Sequence, residues 1–174
     1  MTNTRPMLFN EYRTEWPIAF EKEKKALVAE FGDVALEIHH IGSTSVPGMP
    51  GKGIIDILVI VSSLMPSEAY DKPLRRLGYI NRPVPDRPES PFYTKPSVKP
   101  RTHNVHIAVQ NGEIARNHIM FRDYLRADRG AFDRYAAYKR GQIETTPDEW
   151  DKYSRNKLEV AAQILKEARE KYDG

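Results

Sequence analysis

An aspartate interrupts an otherwise apolar run, Ile54-Ile55-Asp56-Ile57-Leu58-Val59-Ile60-Val61. Removing a carboxylate from water is costly unless it is paired, hydrogen-bonded or bound to a cation, so Asp56 is the first candidate for a working residue. The second candidate is the stretch just before it, residues 42–53, which holds four glycines and two prolines in twelve residues. Glycine lets a backbone approach a ligand closely, and successive N–H groups can form a nest for an anion. Ser43, Thr44 and Ser45 add hydroxyl groups, and Lys52 supplies charge to balance a phosphate. A phosphate held at Gly42 and Ser43 would lie near a cation held by Asp56, because the loop leads into the strand that carries the aspartate.

Other residues are candidates by type and spacing. In His103-Asn104-Val105-His106, strand alternation puts Asn104 and His106 on one face and His103 on the other. Histidine suits Zn²⁺, Mn²⁺ or Fe²⁺, and it also serves as a phosphate donor or general base. His40 stands where it can brace the glycine loop, whereas His39 reads as structural or exposed. Near the C-terminus, Trp150, Tyr153, Val160, Ala161, Ile164 and Ala168 form an apolar stripe, and Lys157 falls on it four residues after Tyr153. A lysine so placed either snorkels out or points at an anion; Arg122 on the preceding helical segment reads the same way.

These residues need elements to hold them. Trp16, Phe20, Leu27 and Phe31 recur at helical spacing, so a helix is expected over about 17–31, with Gly32 as its exit. Alternation over Val34–Ile41 predicts a strand with Val34, Leu36 and Ile38 on one face. The run Ile54–Val61 predicts a strand buried on both faces, and a helix is expected over about 66–77. Residues 81–101 contain six prolines and five Lys or Arg. That content predicts neither a central strand nor a helix, and leaves either a mobile surface loop or a lid whose Phe92-Tyr93 stacks on a ligand. A strand over Asn104–Val109 comes next, with Asn111-Gly112 as a hairpin turn into Glu113–Ala115. Helices are expected over about 116–126, 132–142 and 147–171, the last opened by a capping box at Thr146-Pro147-Asp148-Glu149. Strands first and helices last describe a single α/β (α+β) domain over 1–174, with a sheet core at about 1–115 and a helical cover at about 116–174.

The stretch Ile41-Gly42-Ser43-Thr44-Ser45-Val46-Pro47-Gly48, followed by Lys52 and by Ile54-Ile55-Asp56-Ile57, resembles the GrpB family, also called UPF0157. Trp16-Pro17 with Phe20, Arg101-Thr102-His103 with Val105-His106, Phe121–Arg126, and Tyr153 with Lys157 extend the resemblance over most of the chain. That family looks like a branch of the nucleotidyltransferase superfamily, and some of its domains are similar to segments fused to dephospho-coenzyme A kinase. The resemblance implies a nucleotidyltransferase-like mixed sheet flanked by helices. It implies a nucleoside triphosphate or related phosphorylated small molecule bound by Gly42, Ser43, Thr44, Ser45, Lys52, Arg122, Tyr153 and Lys157. It also implies a divalent metal (Mg²⁺ or Mn²⁺, with Zn²⁺ as a further option) on Asp56, and Asp56 with His106 as catalytic groups; His106 and His103 are the candidates to complete the metal shell. Superfamily members carry a second carboxylate two residues after the first, where this chain has Leu58. Three readings therefore stay open: a metal-dependent nucleotidyltransferase acting on an unknown acceptor, a nucleotide-binding module without turnover, and a metal-dependent phosphoesterase using Asp56, His103 and His106.

Composition narrows the partners. The chain has no cysteine, which excludes disulfides and thiolate metal sites and makes the cytoplasm the expected compartment. No apolar run approaches the roughly 18 residues that span a bilayer. The net charge is +3 and basic residues are interleaved with acids outside 81–101. That suits an anionic small molecule and offers no basic stripe for nucleic acid.

Overall fold

The computed structural model describes residues 9–84, 90–96, 100–145 and 150–172. Helix α1 (Glu15–Phe31) leads into strand β1 (Glu37–Ile41), then the glycine loop, then β2 (Ile55–Val61) and α2 (Ser67–Arg76). Strands β3 (Ile80–Asn81), β4 (Phe92–Lys95) and β5 (His103–Val109) complete the sheet. Helices α3 (Glu113–Ala127), α4 (Arg129–Thr145) and α5 (Trp150–Tyr172) follow.

The sheet runs in the order β1-β2-β5-β4-β3. Its centre is the parallel pair β2 and β5, in a register that sets Asp56 beside Asn104 and Leu58 beside His106; the flanking pairs are antiparallel. The apolar run of β2 is buried on both faces, as its composition requires. Ile55, Ile57, Val59 and Val61 pack with Val105 and Ile107 against Leu27, Phe31, Tyr70 and Leu74 of α1 and α2. Leu58, Ile60 and Ala108 face the other way, against Ala115 of α3. A third cluster joins Val46 and Met49 of the glycine loop to Tyr124, Phe132, Tyr135 and Ile164 of the last three helices. The loop is thereby clamped between the sheet and the helical region. No helix among the described residues is long and apolar enough to cross a membrane.

Three expectations are corrected. The first strand begins at Glu37 and not at Val34: Gly32–Val34 form a 3-10 turn. Val34 and Leu36 remain 40% and 45% exposed. The proline-rich segment does enter the sheet, as β3 and the interior strand β4. Pro91 and Pro96 flank β4, so no ladder donor is lost; the Pro91 carbonyl accepts a bond from Ile107 N at 3.0 Å. Asn111-Gly112 is not a hairpin turn. Asn111 takes φ +61° and Gly112 leads directly into α3; β5 is already paired on both sides, so its continuation has no strand to join. The capping box at 146–149 and two of the lid candidate's five basic residues, Arg87 and Lys99, lie outside the described residues.

Candidate functional site

Ile41, the last residue of β1, pairs with Asp56, so the loop leaves the sheet directly beside the carboxylate. Gly42 takes φ +69°, and a Cβ built there would stand 2.6 Å from Asp56 Oδ2. The glycine is what allows the loop backbone to cross the aspartate at contact distance. Ser43–Ser45 then make one 3-10 turn whose hydroxyls separate by direction. Ser45 Oγ donates to Gly42 O at 2.6 Å. Thr44 Oγ1 donates to Ile54 O at 3.3 Å and accepts from His40 Nε2 at 2.9 Å. Both are buried and committed to holding the loop, leaving Ser43 as the hydroxyl of the three that faces the site. Arg126 clamps the turn from α3, donating to Ser45 O through Nε at 3.0 Å and Nη2 at 2.6 Å.

Ser43 meets a residue that sequence reasoning missed. Lys139 of α4 is 2% exposed, and its Nζ donates to Ser43 Oγ and, at 3.1 Å, to Pro50 O. Burial, reinforced by Lys157 and Lys52, holds its ammonium well below the ordinary lysine range, with Asp56 opposing. A sequence signal was present: Phe132, Tyr135, Ala136 and Lys139 share one buried stripe of α4. That is the argument that singled out Lys157, applied one helix earlier.

Asp56 is partly buried, and burial pushes its carboxyl up. A hydrogen bond from Asn104 Nδ2 at 2.7 Å opposes the rise, as do the charges of Lys157, His118 and Lys139. Asn104 Oδ1 is buried beside it and has no hydrogen-bond partner. Lys52 is held down to about 7, first by burial and then by Lys157, and its Nζ lies 5.9 Å from the Phe9 ring. Lys157 is exposed on α5 and acts on all three of Lys52, Asp56 and Lys139. One carboxylate thus sits among three lysines drawn from the loop, α4 and α5.

The remaining candidates divide. His106 lies on the Asp56 face of the sheet, its ring 4.7 Å from Phe92 and 5.0 Å from His118, a second residue missed in the sequence. His103 is on the opposite face, bonded to Thr102 and near Glu23 and Lys95, so Asp56, His103 and His106 do not converge. Arg122 donates to His40 O at 3.1 Å and to Asp123 at 2.7 Å, bracing β1. The Tyr153 side chain lies outside the described residues. A cavity of about 420 Å³ opens at the far ends of the same strands, between Glu37, Ile60, Gln110 and Met120, away from this chemistry.

The donor set does not fit a two-metal centre. Asp56 has fully buried Leu58 as its neighbour along the strand and Asn104 across it. Among the described residues no three His, Asp or Glu side chains gather where a metal could be held.

A model of the family described as GrpB protein matches residues 6–167. The chain belongs to the GrpB family. The protein YqkA of Bacillus subtilis, a UPF0157 protein, is 35% identical over 148 residues, 85% of this chain but 43% of its own length. A dephospho-CoA kinase of Mycolicibacterium paratuberculosis is 28% identical over 171 residues, covering 80% of this chain and 40% of the kinase. The chain therefore corresponds to less than half of each of these two relatives. The crystal structure of conserved protein GrpB from Enterococcus faecalis superposes with a TM-score of 0.87 at 33% identity, over 96% of this chain and 100% of that one. The five-stranded mixed sheet with its helical C-terminal region is a GrpB fold.

His40 makes this GrpB site pH-sensitive from behind. It stacks on Phe20 at 4.7 Å, and burial, with Arg126 and Arg122, holds it down to about 4 from 6.5. A base whose folded pKa is depressed contributes stability that is present above its unfolded pKa and lost as pH falls through the folded one. Between pH 6.5 and 4 the fold is expected to lose about 2 kcal/mol through this residue. Urea titrations across that window, compared with His40→Gln, measure it: the variant's stability should fall less steeply.

Proposed function

We propose that the cleft at Gly42-Ser43 binds a nucleotide or a related phosphorylated small molecule, and that the protein is a nucleotidyltransferase-like member of its family. The observation that carries this reading is the convergence of Ser43, Asp56, Lys52, Lys139 and Lys157 from four separate elements. Ser43 Oγ and the lysines suit phosphate oxygens, which accept charge-assisted hydrogen bonds. Asp56, whose carboxylate is made more basic by burial, is suited to accept the proton of a ligand hydroxyl. Phe92, His106 and His118 form an aromatic group on the same side of the sheet, where the rest of the ligand has a surface to lie on.

A second reading has its own observation. Leu58 is fully buried, so the position that holds a second carboxylate in nucleotidyltransferases is filled here by packing. The same cleft then serves as a binding module without turnover. The phosphoesterase reading loses its residues, because His103 faces away.

The test is a thermal-shift and calorimetric titration with a panel of nucleoside triphosphates. A ligand at one hundred times its Kd stabilises by about 2.7 kcal/mol, or about 5–10 °C for a chain of this size. Ser43→Ala, which removes the hydroxyl facing the site, should weaken the response to the best ligand. No response of the wild type to any phosphorylated compound would sink the reading; release of pyrophosphate in the presence of acceptors would decide for the transferase over the module.

A further inference from the structure

The charge balance of the site is the reverse of a metal centre. A centre that holds divalent cations gathers carboxylates, and the cations then neutralise the phosphates. Here the position along the strand is Leu58 and the position across it is Asn104, leaving one carboxylate among the described residues. Around that carboxylate stand Lys52 from the loop, Lys139 from α4 and Lys157 from α5, with His118 of α3 also acting on it. Two added divalent cations would face three lysines with one carboxylate among the described residues to bind them, in a partly buried setting where charges are weakly screened.

We propose that Lys52, Lys139 and Lys157 take the place of divalent cations, so that this site binds a polyphosphate ligand without metal. The proposal rests on the phosphate reading above and specifies how that charge is met. Lys139 is fixed at Ser43, where it marks the inner end of the anion track; Lys157, exposed, marks the outer end. In the empty site burial, reinforced by the neighbouring lysines, holds Lys52 and Lys139 toward the neutral amine, and an entering polyanion favours the protonated form of both. Asn104 Oδ1 adds a constraint on the ligand. This oxygen is buried beside Asp56 without a donor, so a ligand that brings an O–H or N–H to that point satisfies it. The ligand class is therefore a di- or triphosphate whose organic part carries a hydroxyl or amino group close to its phosphates.

Calorimetry with inorganic tripolyphosphate and with ATP, each in excess EDTA and in excess Mg²⁺, tests this. Binding in EDTA is expected to be as tight as with Mg²⁺ or tighter, since the metal competes with the lysines for the free phosphate. Lys157→Ala and Lys52→Gln should each weaken binding in EDTA about tenfold, the worth of one charge-assisted contact. Lys157 is exposed, so its variant should keep the wild-type melting temperature and report on binding alone. Binding that requires Mg²⁺ or Mn²⁺ and vanishes in EDTA overturns the inference while the phosphate reading stands. Binding in EDTA that neither lysine variant weakens also overturns it. No binding of either compound under either condition brings down both.

Discussion

Gly42→Ala is expected to destabilise the protein by about 2–4 kcal/mol, lowering the melting temperature by about 5–15 °C. Two separate costs add. At φ +69° and ψ −170° the backbone lies where L-residues are strained, by about 1–3 kcal/mol. The new methyl would also stand 2.6 Å from Asp56 Oδ2 and 3.1 Å from Asp56 Cβ, so loop or strand must move. The strand cannot yield cheaply, because Ile55 and Ile57 on either side are locked in the core. A double-mutant cycle separates the costs. Asp56→Ala removes the carboxylate but leaves the backbone strain, so Gly42→Ala should cost about 1 kcal/mol less in that background. Equal costs in both backgrounds, measured by urea denaturation, would mean that the loop does not cross Asp56 as closely as the geometry places it.

That contact also explains how much of the molecule was legible in the sequence. Asp56 stood out because a carboxylate inside an apolar strand needs a reason, and alternation separated His103 from His106 correctly, since two faces are all a strand has. The double burial of β2 followed from its composition. The glycine loop was legible as a whole but not in its parts. Ser43, Thr44 and Ser45 read alike in sequence, and the turn set by Gly42 decides that Thr44 and Ser45 bond inward to Ile54 and Gly42 while Ser43 turns to Lys139. Proline content misled at β4, because Pro91 and Pro96 mark the ends of a strand and not its absence. Arg122 was read as a phosphate ligand, and two of its nitrogens, Nε and Nη1, bond Asp123 and His40 O. The nearby Arg126, with the same charge, clamps the loop through Ser45 O. Which of two arginines on one helix reaches which carbonyl is a matter of helix placement, and no local pattern carries it.

Lys139 is the residue on which the site depends most. Lys139→Met keeps most of the side-chain volume over the Tyr135 ring, which lies 4.9 Å from Nζ, while removing the charge. Ligand affinity should fall by about 100-fold, the loss of one buried charge-assisted contact. Stability should move the other way. The folded protein holds the Lys139 ammonium well below its ordinary value of 10.5, chiefly because burial disfavours the charge. For a base depressed in this way, its contribution to stability is present above pH 10.5 and is lost as pH falls toward the folded pKa. At neutral pH the wild type therefore carries a penalty that methionine lacks. The variant should be equally or more stable near pH 7 despite the lost bond to Pro50 O, and its advantage should shrink as pH rises toward 10. Melting curves at several pH values, read beside the titrations, separate this from a structural role. A variant that binds ligand normally but melts well below the wild type at neutral pH would make Lys139 a clamp for the loop and not part of an anion site. A functional lysine is kept at the expense of the fold, and a structural one is not.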